Sequence, residues 1–571
     1  MKRIFFYSLF LFACMANGSA YDRITSGVTW NDTNGARISA HGGQVVYSNG
    51  AYYWIGENKP GDHSTGVSCY KSTDLYNWQK LALALTPTGT MSDPDKGNDI
   101  AQGRNLERPK IMYNDLTNKW VMWIHWENGE HYGEARACVA TSDKVEGPYK
   151  FINTFRPNGH DSRDQTIFKD TDGKGYHFAN IHFSDMNIDL LSDDFLTATE
   201  TQNNTFAGRK LEAPAIFKVG ETYYGVYSLS DGWKPTAGQS GYTNNIMGTW
   251  TYYGNFAVDS EKATSYKSQS TCVFKVNGYD NAFVYMGDRW DTGKDATSYY
   301  VWLPLSVRTG YPVVKWYAEW KIADIFKDVD RYKRTAAIGS GNTYMLLDIT
   351  SDRFLSQNTK NGIHIADDDE AINLKYNIIE TEKPYVYKIQ DAATEKFYES
   401  IFGSLRQNAE NDKVSQEWLF LLQADGSYKI KSNNEEKYFC INGNSALAGS
   451  GLYLSDKAKA RAFGVYFDQK TFPDYEVADM YGATYRDEIK VLVKEQTDYL
   501  NALAGIDAIR PDAGPATIQV YGISGQLLYT QKNYTGASVI PATIAENLKA
   551  GVYLVKRISG THSSVQKVIV K

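Results

Sequence analysis

Residues 166–178, Thr166-Ile167-Phe168-Lys169-Asp170-Thr171-Asp172-Gly173-Lys174-Gly175-Tyr176-His177-Phe178, read as one β-hairpin. Two short apolar and aromatic runs are joined by Asp and Gly. β-Branched and aromatic side chains suit a pleated surface, while Asp and Gly suit the turn between. The unit recurs. Upstream, Val45-Val46-Tyr47 leads through Ser48-Asn49-Gly50 to Tyr52-Tyr53-Trp54. Lys110-Ile111-Met112-Tyr113 leads through Asn114-Asp115 to Trp120-Val121-Met122-Trp123. Downstream, Ala215-Ile216-Phe217 leads through Gly220-Glu221 to Tyr223-Tyr224-Gly225-Val226, and Cys272-Val273-Phe274 through Asn277-Gly278 to Phe283-Val284-Tyr285. Five such hairpins, about 50 to 65 residues apart, predict a radial all-β repeat: a five-bladed β-propeller over residues 21–325. Asp170-Thr171-Asp172-Gly173 has the opening of a calcium loop, but no distal Glu and no flanking helices, so it reads as a turn.

Beyond the propeller the pattern changes. Residues 335–468 carry Gln416-Glu417-Trp418 before Phe420-Leu421-Leu422, then Tyr428-Lys429-Ile430 and Tyr438-Phe439-Cys440-Ile441. The Gln-x-Trp feature and the length resemble a ricin-type β-trefoil, with a sugar-binding role and a purely docking role both open. Residues 469–512 form a helical segment and linker. Ile489, Leu492, Val493, Gln496, Leu500 and Leu503 share one helical face, and Pro511 follows. Residues 513–571 read as a small C-terminal β-sandwich module, with Val520-Tyr521-Gly522-Ile523-Ser524-Gly525-Gln526, Gly551-Val552-Tyr553-Leu554-Val555 and a terminal Lys567-Val568-Ile569-Val570-Lys571. It resembles the C-terminal sorting domain of the type IX secretion system of Bacteroidetes.

The N-terminus agrees with export. Lys2 and Arg3 precede the apolar run Ile4 to Ala13, which is too short to span a bilayer and reads as a signal peptide over residues 1–20, cleaved after Ala20. Lipidation of Cys14 is the rival reading. The protein is thus expected to be secreted, periplasmic or on the cell surface, with no membrane span. Charged residues make up 22% and the net charge is −6, which offers no basic face for nucleic acid. Cys69, Cys138, Cys272 and Cys440 lack metal-site spacing and read as buried small hydrophobes. Aromatic residues reach 14%, with 42 Tyr and 13 Trp, a composition that suits both a β-rich core and stacking on sugar rings.

In a propeller the site lies at one end of the central channel, so the polar residues to seek stand at the start of each hairpin unit. Glu107 precedes the second hairpin, Asp164 the third, Glu212 the fourth and Gln269 the fifth, with Ala40-His41-Gly42-Gly43 in the same register of the first. Glycoside hydrolysis needs a proton donor and a group that handles water, usually two carboxyls whose surroundings separate their pKa values.

The order of these motifs resembles glycoside hydrolase family 43, in particular its exo-β-1,3-galactanase branch. The resemblance is carried by Trp30-Asn31-Asp32-Thr33-Asn34-Gly35, Ile38-Ser39-Ala40-His41-Gly42-Gly43, Tyr53-Trp54-Ile55-Gly56-Glu57, Asp74-Leu75-Tyr76-Asn77-Trp78, Glu107-Arg108-Pro109-Lys110, Ser162-Arg163-Asp164, Leu211-Glu212-Ala213-Pro214, Met286-Gly287-Asp288-Arg289-Trp290 and Tyr300-Val301-Trp302-Leu303-Pro304-Leu305. It implies that Glu212 is the general acid, that Asp164 raises its pKa by like-charge proximity, and that Glu107 binds hydroxyls or positions water. The family inverts configuration. It usually has an Asp as base in the first blade, where this chain has Gly42. The branch shares that loss and is held to place the water with a glutamine matching Gln269. Glu57 and Glu107 are the alternatives, and Asp32 reads equally well as a turn residue. Glu57, Trp233, Asp288, Arg289 and Trp290 are expected to contact sugar. No cofactor is required. The resemblance allows a structural calcium ion in the channel, although His41 and His182 read as structural.

These features lead to a secreted inverting exo-glycosidase removing galactose from β-1,3-galactan or arabinogalactan-type glycans, acting on an oligo- or polysaccharide partner. An α-L-arabinofuranosidase or galactofuranosidase is the alternative within the same chemistry. A non-catalytic surface glycan-binding protein is the alternative outside it. Oligomeric state is open.

Overall fold

The structure, a computed structural model, describes residues 20–60, 64–91, 93, 97–291, 297–335, 338–339, 342–358, 362–367, 374–468, 483–506, 516–522, 526–534, 544, 548, 551–559 and 562–570. The expected signal peptide, the Cys14 lipidation alternative and most of the linker lie outside these residues.

Five four-stranded antiparallel sheets follow one another from His41 to Val314, each laid down in strict up-and-down order. Their first strands are His41–Ser48, Asn105–Asn114, Arg163–Lys169, Leu211–Val219 and Gln269–Lys275. Each packs on the first strand of the next sheet, and the fifth returns to the first, so the five line one central channel. These are the blades predicted from the hairpins, numbered here 1 to 5. Asp170 and Gly173 form the expected turn: the Gly173 N–H donates to the Asp170 carbonyl (3.1 Å), and the Asp170 carboxylate accepts from Lys218 and Tyr223.

The ring closes by side-chain packing and a short clasp. Ile24–Thr25 pairs with Glu319–Trp320 across the ends of the propeller. Between blades 5 and 1, Trp30, Trp54, Trp78 and Trp302 form a buried cluster with ring centroids 4.7–5.9 Å apart. Each indole removes roughly 150–250 Å² from water, on the order of 4–6 kcal/mol of gross transfer free energy at about 25 cal/mol per Å². Much of the high aromatic content is therefore core. The four cysteines of the described residues are all free and buried, as expected.

Residues 332–468 form one connected network of thirteen strands with its own apolar core. Trp418 is its fully buried centre, its indole N–H donating to the Tyr398 carbonyl (3.0 Å). Gln416 pins a loop, donating to the Ala409 carbonyl (2.8 Å) and accepting from the Asn411 N–H (2.9 Å). The Gln-x-Trp motif thus serves packing. This domain is locked to the propeller by buried ion pairs: Arg308 to Asp352 (2.7 Å) and Arg353 to Asp259 (3.0 Å). Removing one member of such a pair leaves an uncompensated charge, which penalises any other docking geometry.

The predicted helix runs Ala483–Ile506. Ile489 and Gln496 are buried, and Gln496 donates to the Phe420 carbonyl and accepts from the Leu422 N–H, both at 2.7 Å. Leu492 departs from the expected face and is 43% exposed, because the buried stripe passes through Tyr485, Ile489 and Gln496. At its start Arg486 reaches Asn244 of blade 4 (3.0 Å), so the helix ties the second domain to the propeller. The described residues of the C-terminal module form a single four-stranded antiparallel sheet. The second layer that a sandwich requires is not among them. No helix among the described residues is long and apolar enough to cross a membrane.

Candidate active site

Each of the five inner strands opens with a break in register: between His41 and Gln44, Glu107 and Lys110, Arg163 and Thr166, Glu212 and Ala215, and Ser270 and Cys272. Four of these bulges contain a left-handed residue: Gly42 (φ 60°), Arg108 (52°), Asp164 (46°) and Ala213 (55°). A bulge bends the strand and re-aims its side chains. The polar residues expected just ahead of each strand thus lie within its first few positions.

The bulges bring Glu107, Asp164, Glu212 and Gln269 to one end of the channel around Arg108. The Arg108 guanidinium is buried. It donates to Asp164 Oδ1 (2.9 Å), Gln269 Oε1 (2.5 Å) and the Ser270 carbonyl (3.1 Å), and its backbone N–H donates to Glu57 Oε1 (2.9 Å). Gln269 continues the chain, donating from Nε2 to Glu212 Oε1 (2.8 Å) and Ser228 Oγ (3.2 Å). Its carbonyl oxygen also accepts from the Trp290 indole (2.9 Å). Arg108 and Trp290 can only donate, so they fix which end of the amide is oxygen.

Glu212 is 8% exposed, and its pKa is raised well above the usual carboxylate range, first by burial and second by the like charge of Asp164. Both effects disfavour the ionised form. Such a carboxyl holds a proton at neutral pH, the requirement for a general acid.

Glu107 accepts from Tyr132 Oη (2.7 Å) and Lys59 Nζ (3.3 Å), and its second oxygen lies 3.6 Å from His125 Nδ1. Paired with a buried ammonium, it is suited to hold hydroxyls as an acceptor.

Gly42 explains the missing first-blade carboxylate. A Cβ built there would lie 2.3 Å from Glu57 Oε1 and 3.2 Å from the Arg108 Cα. The buried Glu57 carboxylate thus fills the space into which a side chain at position 42 would project. The glycine peptide is clamped on both sides. Its N–H donates to Asp288 Oδ2 (2.6 Å), and its carbonyl accepts from Lys110 Nζ. Burial pushes the Asp288 carboxyl up to about 7 and pulls the Lys110 ammonium down to about 7. Gly42→Asp is accordingly expected to lower the melting temperature, with strain on the order of 1–3 kcal/mol from the left-handed backbone alone, and to reduce turnover. Thermal denaturation and kcat/KM check this. A stable, more active variant would contradict the packing.

The remaining expected contacts separate into two groups. Trp233, Trp290, Arg289 and Gln269 line one cavity of about 400 Å³ between blades 4 and 5, together with Ser228 and Tyr299. Trp233 is 46% exposed and meets Trp290 edge-on, with centroids 5.3 Å apart. Arg289 is turned partly away: it donates to the Tyr266 carbonyl (2.7 Å) and packs under Gly27. Asp288 is buried on Gly42, and Asp32 caps its own turn by accepting from the Asn34 and Ala36 N–H groups.

Sequence reasoning missed Arg108, Tyr132 and Lys59. Arg108 and Lys59 carried no periodic signal, and Tyr132 sits in a loop. For a metal, no group of three or more His, Cys, Asp or Glu among the described residues could hold an ion. His41 is buried and stacked on Tyr300, and its pKa is pulled down to about 3 by burial and then by Arg37, with Lys59 adding to it. Those cations do not fit a calcium site. His182 lies exposed on the blade 3 rim.

Two family models match this chain. Residues 38–300 match the model of glycosyl hydrolases family 43, and residues 499–571 match a secretion system C-terminal sorting domain. Among solved structures, one described as a family 43 beta 1,3 galactosidase is 50% identical, covering 82% of this chain and 99% of its own with a TM-score of 0.78. A second beta 1,3 galactosidase of that family, solved with galactodeoxynojirimycin, is 34% identical over 52% of this chain and 100% of its own (TM-score 0.50). An exo-beta-1,3-galactanase from Clostridium thermocellum is 28% identical over 78% of this chain and 100% of its own (TM-score 0.50). Comparison with curated proteins returns no match.

Proposed function

The chain belongs to glycoside hydrolase family 43, and from that premise we propose that it is an exo-acting enzyme releasing terminal galactose from β-1,3-linked galactan with inversion at the anomeric carbon. It is a glycoside hydrolase, and its C-terminal sorting domain directs export to the cell surface or beyond. The observation that carries the substrate is the 50% identity to a beta 1,3 galactosidase over nearly the whole of that protein.

The terminal sugar occupies the end of the channel bounded by Glu107, Arg108, Gln269 and the Trp233–Trp290 wall. Glu107, held by Lys59 and Tyr132, accepts from sugar hydroxyls. Protonated Glu212 gives its proton to the glycosidic oxygen as the bond to the anomeric carbon breaks. Its Oε1 is tied to Gln269, so Oε2 carries the proton. Arg108 compensates the negative charge that then remains on Glu212. Water attacks the opposite face of the ring, and the proton it gives up passes to a channel carboxylate, Glu57 or Glu107. No cofactor enters this scheme.

The test is hydrolysis of β-1,3-galactan followed by anomer-resolved proton NMR. Galactose is expected as the first product, initially as the α-anomer. Initial β-galactose would remove inversion, and release of arabinose alone from arabinogalactan would remove the galactosidase reading.

A further inference from the structure

Blade 3 carries an aromatic residue that neither the fold nor the acid–base machinery uses. Its second and third strands, Gly175–Ile181 and Asp185–Leu191, are joined by His182-Phe183-Ser184. The Ser184 N–H donates to the Ile181 carbonyl (3.1 Å), and His182 and Phe183 both have φ of 55°. Two consecutive left-handed residues are the geometry of a type I′ turn, where Asn-Gly is favoured and a bulky aromatic costs on the order of 1–3 kcal/mol. Burial does not repay that cost: Phe183 is 54% exposed.

The ring is nonetheless fixed. The Arg163 guanidinium lies over it, 4.2 Å from the centroid. Arg163 is itself buried and anchored to the Tyr132 carbonyl (2.5 Å), Asp161 (3.2 Å) and Glu127 (3.5 Å). A rigid cation therefore covers the Phe183 ring from one side, while more than half of the residue is exposed to solvent. Position completes the picture. Arg163 immediately precedes Asp164. The turn stands at the channel end of the blade, because Arg163 pairs with Asn180.

We propose that Phe183 is the platform on which the leaving-group galactose rests. A sugar ring presents a C–H face that packs on an aromatic surface, and a ring already oriented by Arg163 loses little freedom on binding. The terminal galactose lies in the channel, and the rest of the chain must leave past the rim. Phe183 supplies an apolar surface there on blade 3, in addition to the Trp233–Trp290 wall of blades 4 and 5. This inference rests on the galactosidase reading.

The experiment compares β-D-galactosyl fluoride, whose leaving group has no ring to stack, with β-1,3-galactobiose and β-1,3-galactotriose, for wild type, Phe183→Ala and Phe183→Trp. Phe183→Ala is expected to lower kcat/KM on the two oligosaccharides by about three- to tenfold, and to change the fluoride less than twofold. Phe183→Trp should restore the oligosaccharide rates. An unchanged oligosaccharide rate in Phe183→Ala would overturn the platform. An equal loss on the fluoride would overturn it too, since the ring would then only be supporting Arg163 and Asp164. Wild-type inactivity on all three substrates would instead remove the galactosidase reading, and this inference with it.

Discussion

Glu212→Gln is expected to lower kcat on β-1,3-galacto-oligosaccharides by about 10²- to 10⁴-fold while leaving substrate affinity within a few fold, the range for removal of a positioned general acid. Glutamine preserves the shape and can keep the contact to Gln269, but it has no proton to give the leaving oxygen. The loss should be far smaller on β-D-galactosyl fluoride, because fluoride departs without prior protonation. Steady-state kinetics and calorimetric binding separate these outcomes. An unaltered kcat would show that Glu212 is not the general acid.

The pH profile follows from the same residue. Burial and Asp164 both raise the Glu212 pKa, so the protonated form persists through neutrality and is lost as pH rises through that raised value. The basic limb of kcat/KM is expected to follow this ionisation. Asp164→Asn removes the like charge, favours ionised Glu212, and should move the basic limb to lower pH.

Arg108→Met is expected to destabilise the protein by about 3–5 kcal/mol, the usual cost of removing one partner from a buried charge pair, and to abolish measurable turnover. The residue couples four blades directly. Its backbone N–H holds Glu57 of blade 1, and its own strand belongs to blade 2. Its side chain holds Asp164 of blade 3 and both Gln269 and Ser270 of blade 5. Glu212 of blade 4 is reached through Gln269. Without the guanidinium, Glu57, Asp164, Glu212 and Asp288 lose the cation whose charge they share. Arg108→Lys keeps the charge but not the planar fork, so it should recover more stability than activity. Denaturant unfolding and kcat/KM on the two variants measure both effects. A stable Arg108→Met would show that Lys59 and Lys110 suffice to balance these carboxylates.

Much of this protein is written locally. Alternating apolar hairpins at a regular spacing determine the blades, because a pleated strand with two buried faces must pack on its neighbours. Glu107, Asp164, Glu212 and Gln269 were legible as well, since each holds the same register ahead of an apolar run. The helix from Ala483 was visible in its period, although Leu492 fell outside the buried stripe.

What the sequence could not show are contacts between residues brought together only by ring closure. Arg108 and Asp164 are 56 positions apart, and Arg108 and Gln269 are 161 apart. Nothing local marks such an arginine as the centre of the site. Gly42 and Glu57 make the same point. Read along the chain, Gly42 is a lost carboxylate. In three dimensions a strand pairing brings Glu57 opposite His41, and its carboxylate occupies the space that a side chain at Gly42 would need. Local residue patterns settled which strands form and which positions face the channel. The tertiary structure alone decided which charges meet there, because burial and proximity, and with them the raised pKa of Glu212, exist only once the ring is closed.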